Sequence, residues 1–346
     1  MTTETAEQAS GKKSIWGNII KLVVFLGIGI FFIYWFLLKL DSGQKQAIWN
    51  SFVEADYAWI AIAIGVSLLS HIVRALRWNL LFEPLNIHPR LNNTFGAVMV
   101  AYLSNLAFPR LGEVMRCAML RTSDNIPIEK SLGTVVTERI IDTISFGIIA
   151  VVGIIIMFSK VKDWLYDNLM TRFSTLPSMT TLIITAVVVV VVLLVCYKLF
   201  YKMLLRFAFV RKIDDLVRGC IDGLKSIFHL KPHAVILFVV YSCIIYFLYI
   251  LGGYVIFKAL PETATLGFAA AFVLYLFGSI GMIISQGGLG AYPVLVWQAL
   301  AIYGIGQSVG LASGWLLWSS QQALVVVVGL IYFVYFSLTK KKKQVH

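Results

Sequence analysis

AYLSNLAFPRLGEVMRCAMLR, residues 101–121, opens as an apolar helix and stops at Pro109. Arg110, Glu113, Arg116 and Arg121 follow within a few residues. Proline ends a helix, because it lacks an N–H and clashes with the preceding turn. Irregular backbone at membrane depth survives only where protein or a water-filled cavity covers it. The break therefore predicts the tip of a re-entrant hairpin whose arms are the apolar segment 92–108 and the basic segment after it. Gly112 permits the tight turn. The free N–H groups of the following helix, beside Arg110, make a natural anion site. Asn105 adds an amide one turn upstream, and Glu113 either joins the site or compensates the helix dipole.

The surroundings of this stretch place it in a membrane. Of 346 residues, 59% are hydrophobic and 13% charged, against about 25% charged in soluble domains; the mean hydropathy is +0.85. Runs of about 20 apolar residues, enough to cross a bilayer, cover 17–38, 57–82, 131–158, 181–200, 234–258 and 308–338. The net charge of +12 sits mostly in loops, as the positive-inside bias requires, and no basic patch interleaved with base-stacking residues points to nucleic acid. The four cysteines show no C-x-x-C spacing, so no disulfide framework or metal site is read from them. The first run follows Lys12 and Lys13 and lacks a small-x-small cleavage site, which predicts an uncleaved anchor.

A second segment, 265–285, ends in turn chemistry like the first, in SQGGLGAYP. Gln286, Gly287, Gly288, Gly290 and Tyr292 give this second tip backbone donors and close-approach glycines without charge. IEKSLG at 128–133 matches IGQSVG at 305–310, an offset of 177 residues (305 − 128). About 20 residues before each lies a break containing Leu-Gly. Basic loops at 110–130 and 198–231, and the KKKK run near the C-terminus, belong on the cytoplasmic side. The expected fold is an all-α integral membrane protein: six full transmembrane helices plus two re-entrant helical hairpins in an inverted-topology repeat, both termini cytoplasmic. Residues 1–338 form one polytopic domain, with repeat units 57–158 and 234–338. An amphipathic connector spans 202–231 and a basic tail 339–346. The connector is expected to lie on the inner leaflet.

Three charges interrupt the span 131–158. Glu138 and Asp142 are four apart and share a helix face, and Arg139 is three before Asp142. A charge at the centre of a membrane helix costs at least about 2.5–3.5 kcal/mol. The three must pair as a structural bridge or line a polar site. Arg74 and Arg77, with Trp78, lie near the end of the second span. They read either as side chains snorkelling to the interface beside a belt tryptophan or as forks for a lipid phosphate. Gln321 and Gln322 give the last span a polar face, for a ligand or for neighbouring helices. No phosphate-cradling loop with lysine, H-E-x-x-H or G-x-S-x-G is present; no cofactor, metal or catalytic activity is expected.

RALRW, YLSNLAFPRLGEVMR, SLGTVVTERIID and GGLGAYP resemble the blocks of the flippase-like membrane domain of lysylphosphatidylglycerol synthetases. The resemblance covers about 57–338. It implies translocation of a lipid, an aminoacylated phosphatidylglycerol or an isoprenoid-linked sugar, between leaflets of a bacterial-type cytoplasmic membrane. Arg110, Arg116 and Arg139 would receive the phosphate, while Glu113, Glu138 and Asp142 orient them. The chain lacks the synthetases' C-terminal aminoacyl-transfer domain, which removes lipid synthesis from the expectation. Two other readings remain: a membrane-embedded lipid-phosphate transferase, and a scaffold for a lipid-modifying enzyme such as a glycosyltransferase or synthetase.

Overall fold

The computed structural model describes residues 38, 41–107, 111–165 and 232–344. The first span, apart from Leu38, the span 181–200, the connector 202–231 and the tip residues 108–110 lie outside the described residues. Among the described residues the secondary structure is helical, with turns between helices. In chain order the helices are α1 (Ser42–Glu54), α2 (Tyr57–Leu80), α3 (Leu91–Ala107), α4 (Leu111–Asp124), α5 (Ile128–Leu165), α6 (Pro232–Phe257), α7 (Phe268–Ile284), α8 (Ala291–Ala301) and α9 (Gln307–Gln344). Three of these segments are long and apolar enough to cross a membrane: Tyr57–Leu85, Pro232–Phe257 and Gln307–Leu338. Val327, Ile331, Val334 and Leu338, spaced four, three and four apart on α9, are all more than half exposed. Such a stripe faces acyl chains at little cost in a bilayer and would be expensive in water.

The order of elements repeats. α2, α3, α4 and α5 have 24, 17, 14 and 38 residues; α6, α7, α8 and α9 have 26, 17, 11 and 38. A 3-10 turn with proline in its first two positions follows the first helix of each set, Glu83–Leu85 and Pro261–Thr263. The matched hexapeptides IEKSLG and IGQSVG fall at the start of the two 38-residue helices, α5 and α9. The long helix α9 continues past the expected end of the span at 338 into the lysine run, because lysine is a good helix former and no breaker intervenes.

The described residues fall into two compact units: 135–165 with 232–235 in one, all others in the second. In the second unit α3 and α4 pack as a hairpin, as do α7 and α8, and α9 packs on α1, α2, α3, α4 and α8. Small residues set these approaches, as they do between membrane helices in general. A Cβ on Gly314 would stand 2.6 Å from Pro293 Cα, and one on Gly329 3.0 Å from the Met99 carbonyl oxygen. The hairpin α3–α4 is laced at both ends. At its open end Asn93 donates to both carboxylate oxygens of Asp124, at 2.9 and 3.1 Å. At its tip the Gly112 N–H donates to Asn105 Oδ1 at 2.8 Å. The second lace satisfies one of the free N–H groups that open a helix. Glu113 in the first turn of α4 and Arg121 in the last complement its dipole. The helix stops where Asn125 takes φ 57, a left-handed C-cap position that Asn tolerates, and Pro127 then opens α5.

The helix α1 lies where the sequence predicted no element. Its SGQKQAIWNSFVE sequence has neither the length nor the hydropathy of a span. It buries Ile48 while Trp49 and Val53 stay about two-thirds exposed.

Candidate functional site

The inner face of α2 carries a cluster of arginines and aromatic rings. Arg74 and Arg77 sit one turn apart, followed by Trp78, and Arg77 and Trp78 are fully buried. Arg74 donates from Nη2 to the Tyr249 hydroxyl of α6 at 2.8 Å, and its guanidinium lies 6.0 Å from the ring centre of Tyr102 and 5.9 Å from that of Tyr249. Arg77 donates from Nη1 to Ser242 Oγ at 3.0 Å and lies 5.1 Å over the Phe238 ring. Arg116, on α4, is 3% exposed and stacks 4.4 Å over Trp78, whose indole donates to Thr134 Oγ1 at 2.9 Å. Three guanidiniums are thus held among aromatic faces, where cation–π attraction is strengthened by desolvation.

This placement corrects the interfacial reading of Arg74, Arg77 and Trp78. A snorkelling arginine carries its head to water, and a belt tryptophan stands at the headgroups. Here all three are turned into the protein, because Ser242, Phe238, Tyr249 and Thr134 supply the polar and aromatic partners that the interface would otherwise provide. Arg116 of α4 stacks on Trp78 of α2, a contact the sequence reading had not connected. Asn105, expected as a ligand amide, has its carbonyl oxygen committed to the Gly112 N–H.

The second tip is built by glycines in the left-handed region, Gly287 at φ 62 and Gly288 and Gly290 at φ 75. Gly287 and Gly288 lie in a 3-10 turn, Gln286–Gly288. Its backbone is pinned by Trp318 of α9, whose Nε1 donates to the Gly287 carbonyl at 2.7 Å. Tyr292, expected at the tip as a ligand, is instead buried against α7. A Cβ on Gly278 would meet its ring at 2.7 Å. Gln321 and Gln322 follow Trp318 by one turn and are half-buried; the Gln286 side chain lies outside the described residues.

The end of α3 and the second tip come together. The turn Gln286–Gly288 packs on α3, and a Cβ on Gly287 would lie 3.2 Å from Leu106 Cδ2. Leu106 is the last residue but one of α3, which ends at Ala107. The two apolar segments that end in turn chemistry therefore abut near their ends. Replacing Trp318 by Phe keeps the packing and removes the hydrogen bond to Gly287. A loss of about 0.5–1.5 kcal/mol is expected, read as a modest drop in thermal midpoint in detergent, and an unchanged midpoint would show that the bond does not hold the tip.

In the other unit, Arg139 bridges both acidic neighbours on α5. Its Nη2 lies 3.3 Å from Glu138 Oε1 and 3.8 Å from Asp142 Oδ2. Glu138 is fully buried and Arg139 is 43% exposed, so the triad has one deep and one open charge. Among the described residues no group of three or more His, Cys, Asp or Glu is placed to hold a metal ion.

Sequence reading missed His71, Tyr102, Ser242, Tyr249 and Trp318. The first had a signal: His71, Arg74 and Trp78 are three and four apart on one helix face. The others are single polar or aromatic residues in apolar helices, which spacing alone does not distinguish from lipid-facing positions.

A family model described as the lysylphosphatidylglycerol synthase TM region matches residues 18–331. The chain is 23% identical over 307 residues to a UPF0104 membrane protein of Methanothermobacter thermautotrophicus, covering 85% of this chain and 89% of that one. It is 25% identical over 95 residues to the glycosyltransferase AglD of Haloferax volcanii, covering 27% of this chain and 15% of that protein. No solved structure matches at the same level of significance.

Proposed function

Because the chain belongs to the family of the lysylphosphatidylglycerol synthase TM region, we propose that it moves a lipid with a phosphate-bearing headgroup from one leaflet to the other. The observation that carries this reading is the meeting of the two interrupted segments beside helices that hold three buried arginines. A headgroup crossing a bilayer needs a polar route through hydrocarbon, and broken helices at a repeat interface are how membrane transporters supply one. Arginine suits the phosphate because its planar fork offers paired donors and is more weakly hydrated than an ammonium. In this reading Arg74, Arg77, Arg110 and Arg116, with Glu113, serve the anion in one unit, and within the other unit Arg139, oriented by Glu138 and Asp142, offers a fork of its own. The chain crosses the membrane six times, with α3–α4 and α7–α8 as the re-entrant hairpins and both termini cytoplasmic. It changes no covalent bond in the lipid.

The test is reconstitution of the full chain in vesicles with fluorescent phosphatidylglycerol, following leaflet exchange. Exchange without chemical change is expected. Arg110→Ala removes a charge at the first tip, and Arg139→Lys keeps the charge but loses the planar fork. Both should slow exchange at least about tenfold, equivalent to about 1.4 kcal/mol in the barrier. Wild-type rates in both variants would refute the assignment of these arginines to the phosphate.

The match to part of a glycosyltransferase supports a second reading, in which the chain serves a lipid-modifying enzyme as a scaffold. That reading predicts no exchange by the chain alone and exchange or modification only when such an enzyme is added.

A further inference from the structure

A buried imidazole beside the proposed arginine site has no role in it. His71 stands on α2 one turn before Arg74 and is 7% exposed. Its ring lies 4.8 Å from that of Tyr102 on α3. Its Nδ1 is buried and meets no hydrogen-bond partner among the described residues. An imidazole nitrogen is a strong polar group, and leaving one buried without a partner costs free energy that a second state giving it a partner would recover.

The groups around it are few. On its own helix the charged neighbour is Arg74. From α3 the titratable neighbour is Tyr102, and from α6 Tyr249 reaches the same guanidinium. The helix α9, which also packs on α2, offers only Tyr332 and Tyr335 before its terminal lysines, and Tyr332 donates to Asn92 at 2.6 Å. A proton arriving on His71 would place a second cation beside Arg74, and an anion arriving at Arg74 would remove that opposition.

We infer that His71 is a proton-binding group coupled to anion capture at Arg74, so that the lipid phosphate and a proton enter the site together. The inference rests on the lipid reading above and adds its coupling ion. Linkage makes the relation reciprocal: if the anion favours the proton, the proton favours the anion by the same factor. Affinity for the headgroup then falls as pH rises wherever binding brings a proton onto His71, by at most about tenfold per pH unit for one proton. In a vesicle, an inward proton gradient would accelerate movement of the anionic lipid in the same direction.

The experiment uses the full chain in detergent and dioctanoyl phosphatidylglycerol as the probe. Calorimetric titration in buffers of differing ionisation enthalpy counts the protons taken up per probe bound. Wild type is expected to take up a substantial fraction of a proton somewhere between about pH 5 and 8, and His71→Gln to bind the probe with no such uptake. Probe binding without proton uptake across this range overturns the inference and leaves the lipid reading standing. Equal uptake in His71→Gln also overturns it, because the proton then sits elsewhere. No binding of the probe at any pH removes both. Glycerophosphoglycerol, the same phosphodiester without acyl chains, separates a lipid from a free phosphate. Uptake at far lower concentration of the lipid is expected, and uptake with the free phosphodiester alone overturns the assignment to a lipid. The wild-type proton count does not depend on any variant folding.

Discussion

Gly112→Ala is expected to cost the protein its folded form. The added Cβ would stand 2.2 Å from the Ala101 carbonyl oxygen and 2.7 Å from Asn105 Oδ1. The first of these is backbone in the middle of a packed helix, so it cannot swing aside as a side chain end would. Relief requires α3 and α4 to separate, which breaks the Gly112–Asn105 bond that closes the hairpin. Overpacking typically costs about 1–3 kcal/mol, and rigid surroundings place this site at the upper end or beyond. The readout is the yield of monodisperse protein and its thermal midpoint in detergent. Gly65→Ala is the control, because a Cβ there meets nothing within 4 Å and helix propensity alone would favour the alanine by about 0.5–1 kcal/mol. A Gly112→Ala protein as stable as wild type would mean that the hairpin is not packed as described.

Arg77 provides the second large effect and separates structure from function. It is among the largest fully buried side chains of the protein. Arg77→Ala should destabilise by about 2–5 kcal/mol, the range for truncating a large, fully packed side chain to alanine. Arg77→Met restores most of the volume without the charge, and apolar replacements of buried charges are often neutral for stability. Ser242 keeps its own bond to the Phe238 carbonyl at 2.8 Å, so the methionine strands no hydroxyl donor. The expected outcome is a stable Arg77→Met protein that no longer exchanges lipid. If Arg77→Met exchanges lipid at the wild-type rate, Arg77 is there only to fill space.

Much of this arrangement was legible in the sequence, for identifiable reasons. The hairpin arms were found because proline and clustered glycines mark the ends of helices wherever they occur; α3 and α7 begin and end within three residues of the expected segments. The two matched hexapeptides fall at the same place, the starts of α5 and α9, in two runs of helices of similar lengths. The Arg139–Asp142 pair followed from helical spacing, which puts residues three apart side by side, whereas the closer approach of Arg139 to its chain neighbour Glu138 did not. Arg77 and Trp78 were left between an interfacial and a ligand-binding reading because their environment is made by Ser242, Phe238 and Thr134, far away in the chain. An arginine near the end of an apolar run looks the same whether its head points to water or to another helix. The helix α1 escaped notice for the opposite reason: its polar, short sequence carries no period strong enough to announce it.

The glycines of α9 have a mechanical consequence. Gly310 and Gly314 seat its first half on α8, and Gly329 seats its second half on α3. The two seats are separated by about 22 Å of rod, at about 1.5 Å per residue, with Trp318 and its grip on Gly287 between them. A stiff rod held so closely at two points has little freedom to slide, since any axial shift drives backbone into backbone. The helix α9 is therefore a common spine: the hairpins α3–α4 and α7–α8 are both seated on it through glycines, and neither can shift along it without bringing its own backbone against that of α9.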